Sequence, residues 1–411
     1  MKRSRSGAWS GCYEMDSSLL AHRGRTPTWL RNEIRHLAPV RDAIYSHRVL
    51  ITLVSLQVLF IWVICTCASH SLWIGLGDAV AAIDGAIVLA GAATLAAALV
   101  RSRTGSQPLG ASYFSAWRSI RASALTPVWI ASVLLMSITL PISLAVFSAA
   151  KRTIPAVQPF AWDARLEQLG RAVHGGKHVW QWLQPLVGHP ALTIALDRYY
   201  HIGWTLLVLG GVGLAVVSPV SARRSRFLTS WVALTFLCGT VAAMEMSSAG
   251  PVYFHRVVRS ADPFTGLRDY LAMVNASTPL LSVEAQRSLW WAHQHQLDAF
   301  GSGISAMPSM HIASTALVAC FAWSVSRALG VFAAGATGVM FVGSVSLGWH
   351  YGIDGYAGAL FAVIIWIVVG RLESRVPGGR WGNHRAESCS IAASKSVQSQ
   401  RAVAGQHQRN G

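Results

Sequence analysis

Two short segments hold the residues whose types and spacing fit a chemical step. Residues 301–311 read GSGISAMPSMH, and residues 348–358 read GWHYGIDGYAG. His350 and Asp354 stand four apart. If a helix begins near Trp349, they share one face. A carboxylate there accepts the Nδ1 hydrogen of His350, which fixes the tautomer and leaves Nε2 with a bare lone pair. Such a lone pair is a nucleophile suited to phosphorus. His311, approaching from another element, can protonate the oxygen that leaves. Pro308 suits the first turn of a helix. The N–H groups of Ser309 and Met310, with the Ser309 hydroxyl, would then face a phosphate at a positive helix end.

The two histidines must meet for this chemistry. From His311 to His350 is 39 residues, about 58 Å of helix at ~1.5 Å per residue. That is nearly twice a membrane core of about 30 Å. The chain therefore crosses once and returns, and both histidines end on one face. A lone H-x3-D should occur by chance roughly 0.4 times in such a chain, and P-S-x-H roughly 0.05 times. Neither is specific alone; shared sidedness makes the pair a signal.

The surrounding composition supplies the membrane. Of 411 residues, 53% are hydrophobic and 12% are charged. A soluble domain carries about 25% charge. The expected fold class is all-α, a polytopic membrane helix bundle. Apolar blocks predict eight transmembrane helices at about 49–69, 79–100, 125–148, 202–220, 228–247, 312–329, 331–349 and 351–370. Residues 1–48 read as a basic cytoplasmic tail with an interfacial stretch, 49–124 as two accessory spans, 125–370 as a six-helix core, and 371–411 as a disordered basic tail. A cleavable signal peptide is not expected.

The net charge of +17 raises the question of nucleic acid. The basic residues flank apolar blocks instead of clustering on a soluble face, which excludes it. They are the ordinary marks of membrane orientation. With eight spans, the basic segments at 1–48, 101–123, 221–227, Arg327 and 371–385 all fall on one side. Both termini are then cytoplasmic, and the histidines are extracytoplasmic. The outer loop at 149–201 carries Lys151 and Arg152 with Asp163 and Glu167, and reads as lying on the membrane surface. The cysteines are scattered and lack ligand spacing. His293 and His295 form an HxH pair with no evident third ligand. No metal or other cofactor is expected.

The P-S-M-H and H-Y-G-I-D segments resemble the type 2 phosphatidic acid phosphatase superfamily, and most nearly its inositol phosphorylceramide synthase-like branch. The superfamily pattern is K-x6-R-P, P-S-G-H and S-R-x5-H-x3-D. Here Met310 replaces the glycine of the second motif, and Ser344 stands where the third has arginine. Both changes match the inositolphosphotransferase-like branch. The resemblance implies His350 as nucleophile, Asp354 as its orienter and His311 as general acid, without a metal. It implies a lipid phosphate substrate, a phosphohistidine intermediate, and a phosphatase (hydrolase) or phosphotransferase of lipid metabolism in a bacterial inner or plasma membrane. Lys151 and Pro159 have nearly the spacing of the first motif but lie in a different outer loop from the second. Because a phosphate needs fixed cations, Arg256 and Arg259, in the loop that carries the second motif, are the expected clamp, with Arg268 behind them.

Rival readings are a transporter or non-catalytic membrane protein, and an intramembrane protease using Ser302. Acids near span ends argue against transport, and the loop position of Ser302 argues against proteolysis. Trp349, Tyr351 and Tyr356 read as interfacial anchors rather than substrate contacts, and Tyr200, His201 and Trp204, which open the fourth span and could border the pocket, read as interface packing.

Overall fold

The computed structural model describes residues 28–67, 71–103 and 126–375. The tails at 1–27 and 376–411, and most of the basic loop at 101–123, lie outside the described residues. Everything described is helix or connection, with no strand.

An amphipathic helix α1 (Thr28–Ser46) precedes α2 (Arg48–Cys67), α3 (Leu76–Arg103) and α4 (Pro127–Val157). Three short helices follow: α5 (Asp163–Val173), α6 (Val179–Val187) and α7 (Pro190–Arg198). A π-helical turn, Tyr199–Gly203, joins α7 to α8 (Trp204–Val217). Helix α9 (Ala222–Ala233) runs through a second π-helical stretch, Leu234–Ala242. After the segment 246–264 come α10 (Thr265–Ser277) and α11 (Leu281–Gln294). The last three helices are α12 (Met310–Val325), α13 (Arg327–Ser346) and α14 (Gly352–Arg375).

Seven helices among the described residues are long and apolar enough to cross a membrane, and α12 is a shorter apolar helix of 16 residues. Each of the eight expected apolar blocks is mainly helix over its described residues, and the sixth is cut short. The cut has a local cause. Ser326 is extended, ends α12, and caps α13 by accepting the Leu329 N–H at 3.2 Å. A single residue thus reverses the chain.

Close packing comes from small residues, as expected where lipid supplies no hydrophobic drive between helices. A methyl group at Gly213 on α8 would fall onto the Ala86 backbone of α3, and one at Gly358 on α14 onto the Ser309 carbonyl. Between α2 and α4, Ser143 Oγ donates to Gln57 Oε1 at 2.7 Å, and Gln57 Nε2 donates to the Ser143 carbonyl at 3.3 Å.

At the arginine-rich end, His47 is 1% exposed. Its Nε2 lies 2.7 Å from Ser132 Oγ, which also accepts from Arg224 at 3.0 Å. Burial, then the Arg224 charge, lowers the His47 pKa from 6.5 to about 4. The unfolded chain therefore binds this proton more readily than the folded one. The stability linked to neutral His47 is whole above pH ~6.5 and is lost as pH falls toward ~4, about 3 kcal/mol in all at ~1.36 kcal/mol per unit. In detergent, the melting temperature should fall on acidification from about pH 7.5 to about 4.5. His47→Gln should flatten that slope; an unchanged slope would assign it to other groups.

Candidate active site

His311 sits in the first turn of α12. Ser309 is the N-cap, its hydroxyl accepting the Ile312 N–H at 3.5 Å. Pro308 therefore precedes the cap instead of occupying the first turn. The Ser309 N–H donates to the Asp354 carbonyl at 3.0 Å, so it is engaged within the protein instead of facing outward. Met310 directs its side chain at Gly239, in the second π-helical stretch.

His350 follows a helix end of defined chemistry. Leu347 caps α13, and Gly348 takes a left-handed φ of 78°. The Gly348 N–H donates to the Val345 carbonyl and the Trp349 N–H to the Ser344 carbonyl, both at 3.1 Å. This is a Schellman closure, in which glycine avoids the Cβ penalty. Ser344, at the position of the superfamily's arginine, lends its carbonyl to this closure, and its buried hydroxyl has no partner among the described residues.

Helix α14 begins only at Gly352, so His350 lies in the connection before it. The imidazole is still held. Its Nδ1 is 2.7 Å from the Ala306 carbonyl and 3.4 Å from Asp354 Oδ2. A carbonyl only accepts, so Nδ1 carries the hydrogen and Nε2 the lone pair. The carboxylate expected to do this is the more distant of two acceptors. Asp354 is fully buried, and its Oδ2 also accepts the Tyr351 N–H at 2.9 Å. The rings of His311 and His350 are 6.4 Å apart, centre to centre. Neither Nε2 has a hydrogen-bond partner among the described residues.

The segments between the spans at this end of the bundle position these groups. Asp163, fully buried at the start of α5, accepts the N–H groups of Ala249 and Gly250 and the Tyr351 hydroxyl, each at 2.8 Å. Burial pushes the Asp163 carboxyl above its usual range, and the three donors pull against that. Burial, with Asp163 beside it, raises the Tyr351 phenol well above its usual range, so it remains a donor. Ser248 then holds the chain at 306–307: its carbonyl accepts from Ala306 N–H and its hydroxyl from Met307 N–H, both at 3.0 Å. Gly250, at φ 99°, lets this turn press against the Trp349 carbonyl. Asp163 thus reaches His350 from two sides, through Tyr351 and through the 248–306 pairing.

The aromatic residues read as interface packing line His311 instead. Tyr200 stacks on it at 4.3 Å between ring centres, with its hydroxyl 3.1 Å from Nδ1. The Trp204 ring lies 4.7 Å away, and its indole N–H donates to Ser314 Oγ. Trp349 stacks on Tyr200 and donates its indole N–H to Ser282 Oγ at 3.1 Å.

The cations divide into three groups. Arg152 is buried and tied to Asp298 at 3.1 Å and to the Ser71 carbonyl at 2.9 Å. Arg256 is exposed over the Trp290 ring, Arg259 is exposed, and Arg268 pairs with Asp262. No hydrogen bond or ion pair among the described residues joins Arg256, Arg259 or Arg268 to either histidine. Lys151 is different. Its backbone packs against Gly303, and it acts electrostatically on His311 together with His350 and His201. The end of α4 and the 301–311 loop, separate in sequence, are neighbours in space. Among the described residues, no group of three or more His, Cys, Asp or Glu side chains could hold a metal ion.

Residues 164–368 match the family model described as the PAP2 superfamily. No curated protein and no solved structure matches the chain. The matched stretch contains His311, His350, Asp354, Tyr200 and the helices that carry them, while Lys151 and Asp163 precede it. Through residues 164–368, the chain belongs to the PAP2 superfamily.

Proposed function

We propose that this membrane protein is a metal-independent lipid phosphatase or phosphotransferase that works through a phosphohistidine on His350. The observation that carries the reading is the pairing of two histidines from separate elements, rings 6.4 Å apart, each with Nε2 free of protein partners among the described residues. PAP2 superfamily membership supports the same reaction class. His350 Nε2 attacks phosphorus, and the bond from phosphorus to the leaving alcohol breaks. Protonated His311 gives its Nε2 hydrogen to that oxygen. Water or an acceptor hydroxyl then attacks the phosphohistidine and returns a proton to His311. Water makes the protein a phosphatase; a lipid or polyol hydroxyl makes it a transferase.

Met310 and Ser344 favour the inositol phosphorylceramide synthase-like branch, in which the acceptor is an alcohol. Lys151 is the cation we place nearest the phosphate, with Arg256 and Arg259 as outer attractors. We take 125–370 as the catalytic unit, since α4 brings Lys151. The arginine distribution supports a site on the extracytoplasmic side with both termini cytoplasmic.

The test is turnover of labelled lipid phosphoesters by right-side-out membrane vesicles, with and without EDTA. Water-soluble product should appear in the outer medium, undiminished by chelator. Product only in the lumen would invert the sidedness. Loss on chelation, restored by Mg²⁺, would remove the metal-free mechanism. No turnover of any phosphoester by purified protein would favour a non-catalytic membrane protein or transporter.

A further inference from the structure

The two histidines make different demands. A nucleophile needs a bare Nε2, whereas a group facing the leaving oxygen needs hydrogen on Nε2. At His350 the Ala306 carbonyl settles the matter, because it can only accept. At His311 the corresponding Nδ1 partner is the Tyr200 hydroxyl at 3.1 Å, and a hydroxyl can donate or accept.

Accounting for the phenol hydrogen decides between the two. Tyr200 is 1% exposed, and its hydroxyl has no hydrogen-bond partner other than His311 Nδ1 among the described residues. If Nδ1–H donated to the phenol, the phenol hydrogen would be buried with nothing to bond. Leaving a buried donor unmade is the costlier arrangement. The phenol therefore donates to Nδ1, and the imidazole hydrogen moves to Nε2.

We propose that Tyr200 is a positioning residue that holds His311 in the Nε2–H tautomer, opposite to that of His350. The two imidazoles are thereby sorted into donor and nucleophile by what faces each Nδ1. This rests on the reading of His311 as the group that serves the leaving oxygen. When an anionic phosphate binds and His311 takes a second proton at Nδ1 from solvent, the phenol oxygen turns to accept it, and the attraction of the anion for the imidazolium offsets the loss of the phenol's own hydrogen bond. Phenylalanine can do neither.

The local fold is built for the task. Tyr200 lies in the π-helical turn Tyr199–Gly203, a kind of irregularity that re-aims side chains and occurs often at functional sites. Its ring is stacked parallel to Trp349, within 7°. Ser282 fixes Trp349, lies 3.1 Å from His201 Nε2, and donates its own N–H to buried Asp197 at 2.8 Å.

Tyr200→Phe keeps the ring and removes the hydroxyl. Turnover of an alkyl phosphoester, whose alkoxide needs a proton, should fall about tenfold or more, the scale of one buried hydrogen bond. Turnover of a p-nitrophenyl ester, whose phenolate leaves without one, should fall less than about threefold. An equal loss with both esters would mean Tyr200 acts only through packing, and would overturn the proposal. Nitrogen NMR of the wild-type protein, with His311 assigned by its loss in His311→Asn, gives a reading independent of the variant's folding. Protonated Nε2 and bare Nδ1 are expected; the reverse pattern overturns the proposal. If His350→Ala stayed active, the reaction assigned to the site would fail, while the NMR would still report the tautomer.

Discussion

His350→Ala should leave a folded protein with turnover reduced by about 10²-fold or more, the scale expected when a nucleophile or acid–base group is removed. Nδ1 of His350 is committed to the Ala306 carbonyl, so Nε2 is the ring atom left for phosphorus. Among the described residues, the side chain that an ion pair brings to His350 is the Asp354 carboxylate, which is fully buried and lies on the Nδ1 side of the ring, away from Nε2. The wild-type protein, quenched during turnover of labelled substrate, should carry an acid-labile, alkali-stable phosphoryl group, and His350→Ala should carry none. Asp354→Asn should be milder, about tenfold, because the carbonyl still holds the tautomer and the loss is of charge beside the imidazole at 3.4 Å. Near wild-type turnover in His350→Ala would end the mechanism, whatever the other variants did.

Asp163→Ala should have the largest effect on stability, about 3 kcal/mol or more. It would orphan two backbone N–H groups and a phenol, all buried, and each such loss costs about 1–3 kcal/mol. Turnover should fall with it, because the released segments carry the Ala306 carbonyl and Tyr351, which frame His350. Asp163→Asn keeps one acceptor oxygen and should lose less. Tyr351→Phe removes one of the three bonds and should cost about 1 kcal/mol. Thermal unfolding in detergent measures all three. A wild-type melt for Asp163→Ala would mean that these segments are held by something else.

The helices are legible in the sequence because an apolar block of membrane length satisfies its backbone most simply as a spanning helix. His311, His350 and Asp354 are legible because a membrane crossing converts residue spacing into sidedness. Asp163 and Tyr200 are not. Asp163 reads as one acid in a mixed surface loop, and its burial depends on backbone donors 86 and 87 residues away. Tyr200 can border the pocket by its place at the head of a span but reads first as an interfacial aromatic, since the π-helical turn that aims it at His311 leaves no mark in apolar periodicity. The Nδ1 partner of His350 is hidden for a related reason: a four-residue spacing suggests a carboxylate, but a carbonyl from 44 residues away sits closer. By the predicted spans Lys151 falls in a different loop from the P-S-M-H segment, whereas in the structure it lies near the end of α4, and connection order hides which segments meet. The packing of Gly303 on Lys151 shows that these two do.

The 16 residues of α12 rise about 24 Å at ~1.5 Å each, against a hydrocarbon thickness of about 30 Å. If Arg327 lies at one interface, the imidazole of His311 stops about 6 Å short of the other. On the proposed reading, a lipid phosphate would have to sink below the headgroup plane to reach it, or the bilayer would have to thin around the last hairpin. On that reading, hydrophobic mismatch would be coupled to the reaction, and membrane thickness would be one of the variables that set its rate.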